Sequence, residues 1–191
     1  MRYATEHKTQ TRRKILQNAA RKLRAEGLRG PGVASVMEAS GLTVGGFYKH
    51  FRDKDELLTE AIAQGFSDFQ NKVFSSLKEV PPQERWKAIV RWYLSLEHCN
   101  HPDVGCPIAT LAPEIARAKL PVRKKVAAMM KEREQHLMEF MPGADAASRE
   151  RNFFVIFSAM AGAVSVARIL PEAADREKVL SSVRDYLLKS F

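Results

Sequence analysis

The sequence lacks most of what marks a secreted or membrane protein. Only two cysteines occur in 191 residues, too few for a disulfide framework and in keeping with a reducing cytoplasm. Nine prolines and ten glycines, spread without period, exclude collagen-like and linker-like chains. The opening residues Met1-Arg2-Tyr3-Ala4-Thr5-Glu6-His7-Lys8 hold no apolar core of a leader, so no signal peptide is expected. Long hydrophobic runs are also missing. The most apolar stretch, Phe153 to Ala167, is fifteen residues without a charge and is closed by Arg168, which suits a buried helix better than a membrane span. No stretch alternates polar and apolar residues between turn signals, so no sheet is expected. No phosphate-cradling loop, paired-carboxylate motif or nucleophile–base pair stands out, so neither an enzyme nor a cofactor is expected.

What is present is ordinary in kind and uneven in placement. The composition, 45% hydrophobic and 28% charged, is that of a globular chain long enough to bury roughly 70% of its unfolded surface without a staple. The net charge is +9. Residues 1–55 hold 12 Lys and Arg against 5 Asp and Glu, whereas the rest hold 19 against 17. The excess therefore sits in the first third, where it marks either a face for a polyanion or a plain solvated surface.

Hydrophobic spacing predicts an all-α chain of about nine helices. The first runs from Thr9 to Glu26 with Ile15, Ala19 and Leu23 inward, and Gly27 stops it. Pro31 fits the first turn of a second helix carrying Val33, Val36 and Met37. Thr43 is a candidate N-cap for a short third helix with Phe47 and Phe51 one turn apart. Asp53 followed by Glu56 resembles a capping box opening a long helix to about Leu77. Beyond Pro81-Pro82, five further helices follow, the last two over about 146–170 and 171–189.

The second and third helices, joined by a tight turn at Gly41, form a helix-turn-helix plan, whose second helix enters the major groove of DNA. Phe47 and Phe51 would face inward, leaving Thr43, Val44, Tyr48, Lys49 and His50 outward. Gly45-Gly46 is unusual inside a helix. Two readings stay open there: a backbone bared for close approach to DNA, or close packing against the first helix.

The string Gly41-Leu42-Thr43-Val44-Gly45-Gly46-Phe47-Tyr48-Lys49-His50-Phe51-Arg52-Asp53-Lys54-Asp55-Glu56-Leu57 closely resembles the signature of the TetR (tetracycline repressor) family of bacterial regulators. Thr11-Arg12-Arg13-Lys14-Ile15-Leu16 and Glu26-Gly27-Leu28 resemble the family's first helix and its end. The likeness departs at Pro31-Gly32, where the family usually has a Ser or Thr cap, and at Leu23, where it has an aromatic residue. The resemblance implies a DNA-binding domain over 9–69 and a ligand-binding and dimerisation domain over 70–191. It implies a cytoplasmic, nucleoid-associated repressor that holds a pseudo-palindromic operator in double-stranded DNA and is released by a small-molecule effector. Thr43, Tyr48 and Lys54 match positions that touch phosphates, and Val44, Gly45, Gly46 and Lys49 match positions that meet base edges. The chemistry agrees, since lysine donates to guanine acceptors and hydroxyls suit backbone oxygens.

Three further expectations concern the remaining helices. A homodimer would pair through the last two, across the small residues Ala159, Ala161, Gly162, Ala163, Ser165 and Ala167 and the stripe Val179, Leu180, Val183, Tyr186 and Leu187. Candidate ligand-pocket residues are Phe66, Phe69, Trp86, Tyr93, Met129, Met130, Phe154, Phe157 and Met160, each of which could equally be core. The cluster His98, Cys99, His101, Asp103 and Cys106 admits a zinc site, a redox pair of Cys106 and Cys99, or buried structural cysteines. The first two of these carry the alternative reading, a helical metal- or thiol-dependent enzyme or redox sensor.

Overall fold

A computed structural model describes residues 2–191 and leaves Met1 outside. Among the described residues there is no strand. The α-helices are α1 (Arg2–Glu26), α2 (Val33–Ala39), α3 (Lys54–Ser76), α4 (Arg85–Tyr93), α5 (Leu96–Asn100), α6 (Pro107–Ala116), α7 (Leu120–Met138), α8 (Ala146–Ala167) and α9 (Ala173–Ser190), with 3-10 segments at Val44–Lys49, Pro82–Glu84 and Pro102–Val104. No described helix is long and apolar enough to cross a membrane.

The all-α expectation holds, and the differences are local. The first helix begins well before Thr9. Pro31 is buried one residue ahead of the N-cap Gly32 instead of lying in the first turn of α2. The third helix is a six-residue 3-10 segment, and its two adjacent glycines each cost an α-helix about 1 kcal/mol relative to alanine. The polar stretch after Leu94 contains the short helix α5, capped where the Ser95 hydroxyl accepts from the His98 amide.

Two apolar cores divide the chain. One gathers Ile15, Leu23, Met37, Phe47, Phe51, Ile62 and Phe66 and also takes Leu111, Ile115 and Val126 from α6 and α7. The other holds Phe69, Val73, Tyr93, Ile156, Val164, Leu180 and Leu187. The helix α3 belongs to both, so the two cores meet along it.

Polar ties fix how α1 and α2 sit. Gly41 takes φ +71°, a left-handed turn that favours glycine. Its amide and that of Leu42 donate to the carbonyls of Glu38 and Met37 at 2.8 and 2.9 Å, a Schellman closure of α2. The Asn18 amide donates to the Ala39 carbonyl and the Ser40 hydroxyl, both at 3.1 Å. Asp53 caps α3 by accepting from the Glu56 amide at 2.8 Å, and Glu56 in return accepts from the Arg52 amide at 2.7 Å, one residue upstream of the reciprocal bond in an ordinary capping box.

Arg12 is the tie with most partners. Its guanidinium pairs with Glu60, reaches Glu56 at 3.1 Å, donates from Nε to the His50 carbonyl at 3.2 Å and lies 4.5 Å above the Phe51 ring. Its hydrogen bond to Glu60 holds that carboxyl below its usual 4.5. A carboxylate with a lowered folded pKa stabilises above its unfolded pKa, and the gain is lost as pH falls through the folded value. Arg12→Ala is therefore expected to cost about 1–3 kcal/mol near neutral pH, since it strips charge-assisted hydrogen bonds from two half-buried carboxylates. Urea melts should also show the variant losing less stability than the parent below about pH 4.5.

Candidate functional site

The 3-10 segment Val44–Lys49 is too short to hold itself in place, and its inward side chains anchor it. Phe47 and Phe51 are buried and stack at 5.6 Å between centroids. With those rings anchored, their neighbours in sequence face outward: Val44 is 50% and Tyr48 77% exposed, and Thr43, Gly45 and Lys49 are exposed beside them. Thr43 stands at the N-cap position, yet its side chain makes no capping bond.

The two glycines differ. A Cβ on Gly45 would meet nothing within 4 Å, whereas one on Gly46 would lie 3.6 Å from the Met37 terminal methyl. Gly45 thus bares backbone to the exterior, and Gly46 packs against α2, not against the first helix. His50 is only half outward: its Nδ1 is buried without a partner and its carbonyl is held by Arg12. Burial lowers its pKa, and the charges of Lys8, Arg12 and Lys49 lower it further.

Thr43, Gly46, Tyr48, Lys49 and His50 border an open depression of about 750 Å³ that also takes in His7, Lys8 and Thr11 of α1 and has no acidic residue in its lining. An α1 that starts at Thr9 leaves His7 and Lys8 out of this face. Lys54 is exposed at the first residue of α3 and borders a different cleft, between the α3 start and Leu28, Arg29, Glu114, Arg117 and Lys119.

The candidate pocket residues scatter. Phe69, Tyr93, Phe157 and Met160 line a narrow cavity of about 40 Å³. Trp86 lines an adjoining space of about 20 Å³ that shares Ile89, Leu137, Phe157 and Met160 with it. Phe66, Met129 and Met130 belong to the other core. Phe154 is 48% exposed, because it points away from the stripe Phe153, Ile156 and Met160 that α8 buries. The cavity also holds Arg133, which the hydropathy pattern hides at an apolar-stripe position between Val126 and Leu137.

The pairing residues also divide. Ala161, Ala163 and Ala167 of α8 and Leu180 and Leu187 of α9 are buried within the chain. The outward apolar residues here include Phe154, Val155 and Val166 of α8, Ile169 just beyond its C-cap and Tyr186 of α9, with Gly162 facing open space.

Near the cysteines, chemistry is tied down. His98 is buried, with Nδ1 2.7 Å from the Tyr93 carbonyl and Nε2 accepting from the Cys106 amide at 3.0 Å. Both ring nitrogens are engaged, which fixes a neutral imidazole protonated at Nδ1. Gly105 lets the ring in, since a Cβ there would lie 2.9 Å from Nε2. Cys99 and Cys106 are both buried, and burial pushes the Cys99 thiol up, away from thiolate. Among the described residues no three His, Cys, Asp or Glu side chains gather as a metal site.

Residues 15–61 match the family model for bacterial regulatory proteins, tetR family. A curated relative, the HTH-type transcriptional regulator LmrA of Bacillus subtilis, is 27% identical over 116 residues, which is 60% of this chain and 62% of LmrA. Among solved structures, a TetR transcriptional regulator from Chloroflexus aurantiacus superposes with TM-score 0.77 at 24% identity over 96% of both chains. A regulator FadR from Bacillus subtilis, solved with stearoyl-CoA, superposes with TM-score 0.69 at 16% identity over 93% of this chain and 98% of its own. At those identities the structures show the fold alone. What fold and site define is a helix-turn-helix module set on a helical bundle. Over residues 15–61 that module is similar to the TetR family of bacterial regulatory proteins.

Burial lowers the His98 pKa from 6.5 to about 4. A histidine held neutral in the fold stabilises fully above its unfolded pKa, and the gain drains away as pH falls towards the folded value. Stability is thus expected to drop between pH 6.5 and about 4, by about 3 kcal/mol at most. Denaturant melts across that window check it, and His98→Gln should flatten the profile there.

Proposed function

We propose that the chain is a sequence-specific DNA-binding transcriptional regulator, a cytoplasmic repressor that holds a pseudo-palindromic operator as a homodimer and lets go when a small ligand enters the bundle. The observation that carries this is the basic, acid-free face at the 3-10 segment, with Phe47 and Phe51 buried behind it. Val44, Gly45 and Lys49 would meet base edges, with Gly46 and His50 set deeper as packing. Thr43, Tyr48 and Lys54 would hold phosphates, joined by Lys8. Gly45 adds a specific geometry: its open side lets the backbone approach a base edge that a Cβ would fend off. The bundle as effector site is supported by the cavity beside Phe69, Tyr93 and Phe157 and by the similar fold of FadR, which was solved holding stearoyl-CoA.

The test begins with selection of bound sequences from random DNA. Lys49→Ala should then relax preference at one position per half-site, by about 1–3 kcal/mol against the preferred base. Lys54→Ala should weaken all sequences alike and shallow the salt dependence by about one unit for each phosphate that is no longer neutralised. A parent protein whose affinity is flat with salt would sink the phosphate-anchored reading.

Dimerisation would use the outward stripe of Val155, Gly162, Val166 and Ile169 with Tyr186, since Ile169 at 79% exposure is unusually bare for its size. Ile169→Glu is expected to shift sedimentation toward monomer and to lower operator affinity in step, because each half-site alone holds weakly. An unchanged dimer would place the pairing face elsewhere.

A further inference from the structure

Three arginines are held largely inside the fold, and they are not held alike. Arg168 spends its donors on the Cys99 and His98 carbonyls and the Thr110 hydroxyl, at 2.9, 3.2 and 2.7 Å. Arg24 also leaves a buried donor, Nε, without a partner, but it donates to the Gly65 carbonyl at 2.9 Å and its charge is offset by those of Asp68 and Asp103. Arg133 has neither arrangement. It is 7% exposed, donates from Nη2 to the Phe66 carbonyl at 2.5 Å, and lies over the Phe66 and Phe69 rings at 4.9 and 5.4 Å. Its Nη1 is buried with no partner, and no carboxylate contributes to its surroundings.

A second spare donor shares the cavity with it. Tyr93 is 2% exposed, and its hydroxyl lies near the Cys106 thiol without a hydrogen bond of ordinary geometry. Arg133 and Tyr93 line the same space, whose other walls include Val73, Ile89, Leu137 and Phe157. A buried cation is costly unless it is paired, and ring faces compensate it only in part. What completes this site is an acceptor of single negative charge. A carboxylate takes one bond from a guanidinium nitrogen and one from a phenol. A dianion would leave charge uncompensated beside one arginine, and a cation would be repelled. The apolar walls suit a hydrocarbon tail.

We propose that the bundle cavity binds an amphipathic monocarboxylate, with its carboxylate on Arg133 Nη1 and Tyr93 Oη and its tail along Val73, Ile89, Leu137 and Phe157. This rests on the reading of the bundle as the effector site and names the chemical class of the effector. The space of about 40 Å³ must widen to take a tail. Met160, which borders both this space and the adjoining one, supplies an adaptable wall.

The full-length protein is titrated with straight-chain carboxylates from butanoate to dodecanoate, each below its micellar range, and with the matching primary alcohols. Tryptophan fluorescence reads binding, since Trp92 lies 5.6 Å from Phe69 in the cavity wall. Saturable binding is expected for a range of chain lengths, with each such carboxylate about ten- to a hundredfold tighter than its alcohol. Arg133→Gln should erase that preference. Should that variant fail to fold, Tyr93→Phe carries the test: it must weaken carboxylates and leave alcohols unchanged. The proposal is overturned if no carboxylate saturates, if alcohols bind as tightly, or if both variants keep the parent's preference. DNA release, followed separately by anisotropy of a labelled operator, distinguishes the two readings. A carboxylate that binds through Arg133 yet leaves the protein on DNA refutes the effector role and upholds the site.

Discussion

Anchorage of the 3-10 segment by Phe47, Phe51 and Arg12 is the constraint on which the outward face depends. Six residues with two glycines have no helix-forming drive of their own. Their geometry is imposed from behind, by two rings sunk into the core of α1, α2 and α3 and by one guanidinium that ties the His50 carbonyl to two glutamates of α3. Because Phe47 and Phe51 are four residues apart and both buried, Val44, Gly45, Tyr48 and Lys49 have no direction left but outward. A face held in this way is ordered beforehand, so any partner that docks on it meets little further cost of ordering.

The same economy joins the two halves of the chain. Along α3, Leu57, Ile62 and Phe66 serve one core, while Phe69 and Val73 serve the other. Polar contacts repeat the join from α1: Glu114 accepts from the Leu28 amide at 2.7 Å and Arg21 pairs with Asp103 at 3.0 Å. The exposed Arg21–Asp103 pair contributes little by itself. The Leu28 bond is different, since it satisfies an amide just past the end of α1 with a charged acceptor. A bundle that changes its packing around α3 or α6 therefore cannot leave the position of α1 untouched.

How much of this is legible in the sequence follows from which forces leave a periodic trace. Burial of Phe47 and Phe51, the left-handed turn at Gly41 and the cap at Asp53 are local or periodic, and all three can be read. The 3-10 form cannot, because choosing between two helical windings depends on packing against α1 and α2 that lie far off in sequence. Phe154 misleads for a related reason: in a helix as uniformly apolar as α8, spacing alone does not say which stripe is buried. His98 and the two cysteines look like ligands by composition, and only the Tyr93 carbonyl and Cys106 amide show that the imidazole is already occupied.

Buried arginines are the least legible element, and the reason is physical. An apolar stripe interrupted by one charged residue looks like a stripe with a defect, as in α7 at Arg133. Whether the charge is a structural tie or part of a site depends on its partners, which belong to other helices. Arg168 has backbone and hydroxyl acceptors placed around it, and Arg24, despite an unpartnered Nε, has a backbone acceptor and the charges of Asp68 and Asp103. Arg133 is explained only in part, for one carbonyl and two ring faces leave Nη1 with nothing to bond. A leucine at that position would satisfy the stripe without the cost of desolvating a charge. The carbonyl and the two rings tie α7 to α3 through the arginine, and the donor they leave over is the one a negatively charged guest would take.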